Sequence, residues 1–100
     1  PEAAATVIVS SGGYPGSYEK GKVIKGLAEA AKIQGATVFH CGTKSADGEV
    51  LTDGGRVLSV TGMGGTLREA VDTAYRAVSA ISFEKAFFRR DIAHRAFERN

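Results

Sequence analysis

The fold class is decided by residues 37–61, TVFHCGTKSADGEVLTDGGRVLSVT. This stretch holds three β-prone runs, residues 37–41, 49–52 and 56–61. They are separated by turn sequences, Ala46-Asp47-Gly48 and Asp53-Gly54-Gly55, and connections this short permit only antiparallel pairing. We therefore expect a small antiparallel β-sheet built as a three-stranded hairpin meander, which, with the helix that follows, places the chain in the α+β class.

One main amphipathic helix is expected to pack on this sheet. Thr66-Leu67-Arg68-Glu69 is a capping box, in which the Thr66 hydroxyl accepts from the Glu69 amide while the Glu69 side chain reaches back, so the helix begins at Leu67. Arg68, Asp72 and Arg76 then follow one face at four-residue spacing. The opposite face carries an apolar stripe of Leu67, Ala70, Val71, Ala74, Ala77, Val78 and Ile81.

The remaining predicted elements are short. Residues 6–11 predict a buried strand, and residues 27–33 predict one or two helical turns. Extended segments are expected at residues 22–25 and 83–88, and a short C-terminal helix carries His94, Arg95 and Arg99. The chain has no linker or internal repeat, so residues 1–100 form a single domain.

Composition restricts the class of protein. A chain of 100 residues, 43% of them hydrophobic, can bury one modest core, and no apolar run approaches the roughly 18 residues of a spanning helix. No leader opens the sequence, so a soluble, non-secreted domain without a membrane partner is expected. The net charge of +2 does not by itself imply nucleic acid binding. Cys41 is the only cysteine, which fits the cytosol, and the start at Pro1 suggests a piece of a longer polypeptide.

The glycine loop is the first candidate for ligand binding, and it consists of Gly12, Gly13, Tyr14, Pro15 and Gly16. Its glycines allow positive φ and its proline restricts φ, so the backbone amides can approach a ligand closely. Tyr14 and Tyr18 flank the turn with flat side chains, and Lys20 and Lys22 add positive charge, which suits a carboxylate, phosphate or sugar. A tight turn with a purely architectural role explains the same residues.

Two other patterns have weaker functional interpretations. Residues 62–66 resemble a phosphate turn before a helix, but they lack the dinucleotide fingerprint and the Walker lysine, so a capped helix start is the alternative. His40 and Cys41 are adjacent on a strand and point to opposite faces, which excludes a catalytic pair, and no ligand-spaced pair supports a metal site. His40 is interpreted as a polar residue at a strand end and Cys41 as a small core residue.

Basic residues give two further candidates. Arg56 directly follows a glycine turn that would hold its guanidinium for a bidentate grip on a carboxylate or phosphate, and a surface salt bridge is the alternative. The C-terminal end interleaves basic residues with phenylalanines, which could grip RNA or dock on an acidic neighbouring domain. That basic cluster consists of Lys85, Arg89, Arg90, Arg95 and Arg99. No stretch supplies a complete active site, and no catalytic residue is assigned.

Four motifs in this order carry a resemblance to a known family. They are residues 11–16 (SGGYPG), 40–44 (HCGTK), 54–61 (GGRVLSVT) and 88–92 (FRRDI). The chain resembles the C-terminal domain of glycinamide ribonucleotide synthetase, also called phosphoribosylamine–glycine ligase, of the ATP-grasp superfamily. The resemblance covers essentially all 100 residues. Cys41, Lys85 and Ala93 depart from the usual alanine, glycine and glycine of the family.

The resemblance implies a reaction of de novo purine synthesis. In that reaction ATP phosphorylates the glycine carboxylate, and the amine of 5-phosphoribosylamine attacks the acyl phosphate to give glycinamide ribonucleotide, ADP and phosphate. ATP and Mg²⁺ would be bound by ATP-grasp domains upstream in the same polypeptide, in the cytoplasm. In some relatives a cyclo-ligase is fused downstream. The isolated chain is expected to be inactive.

The resemblance also implies which residues contact substrate. The glycine loop would offer backbone and ring contacts, Gly42 and Thr43 would lie near glycine, and Arg56 would face an anionic group. Positioning of this kind can contribute several kcal/mol of barrier reduction without an acid or base. No metal or cofactor site is expected in the domain. The competing hypothesis is a free-standing interaction or RNA-binding module, whose affinity for RNA would fall steeply with salt.

Overall fold

A computed structural model describes residues 3–88 of the chain. The elements follow in the order β1 (Ala3–Ser11), α1 (Leu27–Ala31), β2 (Ala36–His40), β3 (Thr43–Ala46), β4 (Glu49–Thr52), β5 (Arg56–Gly64), α2 (Leu67–Ala80) and β6 (Ala86–Phe88). This confirms the α+β class, the antiparallel sheet and the single main helix. The predicted C-terminal helix, and all of the basic cluster except Lys85, lie outside the described residues.

The main sheet has four antiparallel strands in the order β2-β5-β1-β6. Its centre is the long pair of β1 and β5, which runs in register from Ala3 opposite Gly64 to Val9 opposite Leu58 and then shifts at a β-bulge, so that Ser10 lies opposite Arg56. β5 continues to Gly64, three residues beyond the predicted run. The strands that carry the most regular apolar alternation therefore form the middle of the sheet.

The predicted meander is wrong in its pairing. β2 pairs directly with β5, and β4 pairs with β3, a strand that was not predicted, in a separate two-stranded sheet. The tight turn at Asp47 and Gly48, both with positive φ, closes this hairpin on itself. β3 has no buried residue, whereas Val38 of β2 lies opposite the buried Val60. A polar strand such as β3 gains little from joining a sheet that is covered by a helix on one face, whereas Val50 of β4 packs against the core.

The core lies between the main sheet and α2. β1 alternates strictly, with its odd-numbered residues from Ala3 to Ser11 buried, and the even-numbered Leu58 and Val60 of β5 face the same side. The predicted helical stripe is confirmed at Ala70, Ala74, Ala77, Val78 and Ile81, which are buried, whereas Leu67 is exposed. Small residues let the helix approach the sheet closely, as native packing density requires.

The predicted capping box at the start of α2 is confirmed. The Glu69 amide donates to Thr66 Oγ1 at 3.2 Å, and Glu69 Oε1 accepts from the Gly65 amide at 2.9 Å. A carboxylate therefore already occupies the amide-rich start of the helix, which supports the capped-helix interpretation of residues 62–66 over a phosphate turn.

The shorter predicted segments are also present. Val23 and Lys25 form isolated bridges to Leu51 and Ser82, which agrees with the extended segment, and α1 is a helix of five residues. Both helices lie on the same side of the main sheet, since α1 contacts α2 and β2. Within residues 3–88, no helix is long and apolar enough to cross a membrane.

Candidate functional site

Three loops meet at one end of the main sheet, which we call the loop end: residues 11–16, 41–43 and 53–56. They meet because β1 and β2 both finish beside the start of β5 in the antiparallel order. Each loop carries one of the motifs of the resemblance. Segments that are far apart in sequence are thus held side by side.

The glycine loop is a compact turn. The Tyr14 amide donates to the Ser11 carbonyl at 3.1 Å, and Gly13 has a φ of 98°, a left-handed value that favours glycine. The Tyr14 ring meets the Tyr18 ring edge-on, with 5.9 Å between centroids and 67° between planes. The sequence predicts that the two tyrosines flank the turn, and the structure shows that their rings also contact each other.

Hydrogen bonds tie the glycine loop to the turn before β5. The Ser11 amide donates to the Gly55 carbonyl at 2.7 Å, and Ser11 Oγ donates to the Gly54 carbonyl at 2.9 Å. The Tyr14 ring lies directly on Gly55, where any Cβ would collide with the ring. Glycine is required at position 55 because the aromatic ring occupies the space that a side chain would need.

The third loop is fastened to the same turn. The Asp53 amide donates to the Gly42 carbonyl at 2.8 Å, and the amides of Cys41 and Gly42 donate to the Val57 carbonyl at 3.0 and 3.1 Å. Thr43 Oγ1 lies 2.9 Å from His40 Nδ1 in an exposed hydrogen bond. His40 therefore lies at the strand end, as predicted, and orients the Thr43 side chain.

An open depression of about 520 Å³ lies beside these contacts. It is lined by Ile8, Cys41, Gly42, Asp53, Gly54, Arg56 and Ser59. Arg56 and Gly42, two of the residues predicted to contact substrate, line it together. Arg56 is exposed, and no residue between 3 and 88 forms an ion pair with it, so the alternative of a surface salt bridge gains no support within that range.

The glycine loop faces a second, smaller depression. Gly12 lines it together with Ser17, Tyr18, Glu19 and Lys85, and its volume is about 270 Å³. Hydrogen bonds thus join the three loops, but the residues predicted to contact substrate do not all line the same depression. Gly42 and Arg56 line the larger depression, Gly12 lines the smaller one, and Tyr14 lies on Gly55.

The positive charge expected beside the glycine loop is largely neutralised at Lys22. Lys22 Nζ lies 2.8 Å from Glu19 Oε1 and 2.7 Å from Glu84 Oε1. Hydrogen bonds from Lys22, followed by its charge, hold the pKa of both carboxyl groups below their ordinary value, and the same hydrogen bonds raise the pKa of Lys22. Lys22 therefore links the loop to the segment before β6, and both carboxylates are exposed, so the link contributes little stability.

A family model, phosphoribosylglycinamide synthetase, C domain, matches residues 4–95. The chain belongs to this family. The C domain is 55% identical over 93 residues to the phosphoribosylamine–glycine ligase of Synechocystis, and 50% identical over 99 residues to that of Pseudomonas putida. These matches cover 93% and 99% of the chain but only 22% and 23% of the relatives. The resemblance seen in the sequence is confirmed.

A solved structure agrees with this assignment of the C domain. The crystal structure of phosphoribosylamine–glycine ligase from Thermotoga maritima aligns with a TM-score of 0.77 at 38% identity. The alignment covers 90% of this chain and 22% of that chain. The chain therefore spans less than a quarter of the length of the relatives it matches.

Sequence reasoning missed several residues that the C domain places in the larger depression. Cys41 was interpreted as a small core residue, but it is exposed, because β2 ends at His40 and the chain turns away from the core. Ile8 and Ser59 lie opposite each other across β1 and β5. Only the pairing of these two strands, which are about 50 residues apart, could have revealed them. The sequence predicts Asp53 only as part of a turn and not as a residue of the depression.

The described part of the C domain does not fit a metal site. Across residues 3–88, no group of three or more histidine, cysteine, aspartate and glutamate side chains could hold a metal ion. Within residues 3–88, the loop end offers the guanidinium of Arg56 and the hydroxyl of Thr43. These groups suit binding and orientation of an anionic or polar ligand.

Proposed function

We propose that the chain is the substrate-side domain of a phosphoribosylamine–glycine ligase and helps to complete the site where glycine is joined to 5-phosphoribosylamine. The observation that carries the proposal is the meeting of three distant motifs at the loop end, in a chain whose residues 4–95 match the family. Groups that converge around an open depression are typical of a ligand-binding site, which gives these motifs a physical role.

The reaction is an ATP-dependent ligation of de novo purine synthesis in the cytoplasm. ATP phosphorylates the glycine carboxylate and leaves as ADP. The amine of 5-phosphoribosylamine then attacks the acyl carbon, phosphate leaves, and the amide bond of glycinamide ribonucleotide forms. ATP and Mg²⁺ belong in this proposal to ATP-grasp domains upstream in the polypeptide, and a cyclo-ligase could follow downstream. Residues 3–88 bind and orient substrate and supply no acid or base.

Arg56 is the residue proposed to bind an anionic group of substrate. It lies at the start of β5, opposite Ser10 and beside the β-bulge, and its side chain borders the larger depression. A guanidinium can donate two parallel hydrogen bonds to a carboxylate or phosphate, which determines the orientation of the bound group as well as its affinity. Asp53, which lines the same depression, disfavours binding of an anion on its own side.

The backbone around Arg56 is proposed to orient the smaller substrate. Gly42 is held against the turn before β5 by the Asp53 amide, and Thr43 is oriented by His40. The glycine loop, Gly12, Gly13, Tyr14, Pro15 and Gly16, supports that turn from the other side through Ser11 and the Tyr14 ring. A rigid arrangement of this kind lowers the entropy lost when two substrates are aligned.

Deletion tests the proposal. The measurement is ADP release that depends on both glycine and 5-phosphoribosylamine, in a complete ligase polypeptide with these residues as its C domain and in the same polypeptide without them. We expect ADP release to disappear while ATP binding persists. ADP release that survives deletion, or tight and salt-sensitive RNA binding by the chain, would contradict the proposal.

A further inference from the structure

The main sheet has one side without a described partner, which we call the open face. α2 contacts β1, β5 and β2 from the other side. The open face contains the residues whose strand positions alternate with the buried ones: Ala4, Thr6, Ile8, Ser10, Thr37, Phe39, Ser59, Thr61, Met63 and Phe87. Thr6 Oγ1 and Thr61 Oγ1, from paired strands, lie 3.0 Å apart on this side.

The composition of the open face is unusual for a surface in water. None of these residues is charged, and the exposed Arg56, opposite Ser10, adds a guanidinium only at the loop end of the face. Phe39 and Phe87 are each 53% exposed and Met63 is 40% exposed, which makes this face the location of three of the five large hydrophobic residues exposed within residues 3–88. A solvated face of an antiparallel sheet is normally polar, whereas the centres of protein interfaces are enriched in aromatic residues and methionine and depleted of charge.

We propose that the open face is the surface on which the remainder of a phosphoribosylamine–glycine ligase polypeptide docks. This inference rests on the proposed function. The occupant is the rest of the ligase because the chain matches only 22% and 23% of its relatives, so more than three quarters of each relative lies outside this domain. An exposed apolar patch of this kind is typical of a surface that contacts another part of a protein.

The open face is continuous with the loop end. Ile8 and Ser59, which lie opposite each other on this face, also line the larger depression beside Arg56. A neighbour seated on Phe39, which lies opposite Ser59, would therefore close the depression from the side of the sheet. Ligand sites are common at such junctions between domains. Docking and substrate binding would share one continuous surface.

Hydroxyl-radical footprinting tests the docking surface directly. Labelling of each side chain is compared between the 100-residue chain and a complete ligase polypeptide with these residues as its C domain. We expect labelling of Phe39, Met63 and Phe87 to fall about fivefold or more in the complete polypeptide, because a docked neighbour excludes water from the interface. Leu67 is the matched control, since it is 38% exposed on α2, and its labelling is expected to stay unchanged. Equal labelling of the open face in both would overturn the proposal.

Charge substitution supplies the second arm of the test. Met63→Glu places a carboxylate inside the proposed interface, opposite Ala4, where it would be desolvated without a partner, so labelling of Phe39 and Phe87 should return in the complete polypeptide. Leu67→Glu should leave them protected. Phe39→Glu serves as a second variant on the edge strand β2, with Met63 and Phe87 as its readout. Continued protection after either open-face substitution would overturn the proposal.

Two further outcomes distinguish the occupants and the two proposals. Sedimentation of the chain alone should show a monomer, and protection that grows with chain concentration would assign the face to a second copy and overturn the proposal. If the open face is not protected in footprinting, but ADP release still requires this domain, then docking on this face is overturned and the proposed function stands. If the open face is protected and the ligase keeps its activity after the Arg56 guanidinium is removed, docking is supported, but Arg56 does not bind substrate.

Discussion

The two sides of the main sheet are formed by the same strands but differ in the composition of their side chains. On the side of α2, alternate residues of β1 and β5 are small or aliphatic and buried against a stripe of alanines. On the open face, the intervening residues are mainly threonines, serines and exposed large apolar side chains, and Arg56 adds a charge only at the loop end. By contrast, the outer face of α2, which is exposed to water, carries the charged residues Arg68, Asp72 and Arg76.

In our proposal the covered side provides stability and the open side provides a surface for other parts of a ligase. Burial of apolar area against α2 is the main stabilising contribution. The open face leaves Phe39, Met63 and Phe87 in solvent, which gives no such contribution in the chain alone. Substitutions on the two sides should therefore affect different measurements.

The largest difference is expected between two neighbouring residues of β5. At Gly62 a Cβ would collide with the carbonyl oxygen of Ala70 and the backbone nitrogen of Ala74, whereas Thr61 faces the open side. Gly62→Val should lower the free energy of unfolding by about 3 kcal/mol or more, because backbone atoms of α2 cannot move independently. Urea unfolding of the chain measures this change.

The matched control is Thr61→Val, which adds no volume on the covered side and removes only the hydrogen bond to Thr6. Its cost should be about 1 kcal/mol. Comparable losses for the two variants would mean that the covered side is not packed more tightly than the open face.

A smaller effect is expected at the start of the helix that covers the sheet. Thr66→Ala removes the acceptor for the Glu69 amide and should cost about 1 kcal/mol. Hydrogen exchange should show faster opening of the first turn of α2, with the β1–β5 ladder affected only through global stability. Ser79→Ala, an exposed position near the other end of α2, is the control and should not lower stability. Equal destabilisation by both would show that Thr66 does not act as a cap.

Local patterns predicted the elements but not how the strands pair. The strict alternation of β1 and the capping box of α2 are properties of short stretches, so both elements could be predicted from neighbouring residues. β3 has no alternation toward a core, because its hairpin packs outside the main sheet, and its residues gave no signal. The order β2-β5-β1-β6 depends on contacts between distant segments, which spacing along the chain does not encode.

The candidate site was predictable to the extent that it rests on motifs. The family resemblance predicts Gly42 and Arg56 as substrate contacts, which stays a prediction, and both residues line the larger depression. Ile8 and Ser59 could not be predicted because their proximity follows from the register of β1 against β5. Cys41 was misplaced in the core because an apolar residue after Phe39 and His40 was read as a continuation of β2, which ends one residue earlier.

The central claim is that the loop end orients substrate, and Arg56 tests it most directly. The measurement is kcat/KM for 5-phosphoribosylamine in a complete ligase polypeptide with these residues as its C domain, with Arg56→Ala compared with Arg68→Ala on the outer face of α2. Loss of a charge-assisted contact of about 1.5–3 kcal/mol predicts that Arg56→Ala lowers kcat/KM roughly 10- to 150-fold with little change in Tm. Arg68→Ala should leave both unchanged. An unaltered kcat/KM for Arg56→Ala, or equal losses in both variants, would contradict the claim.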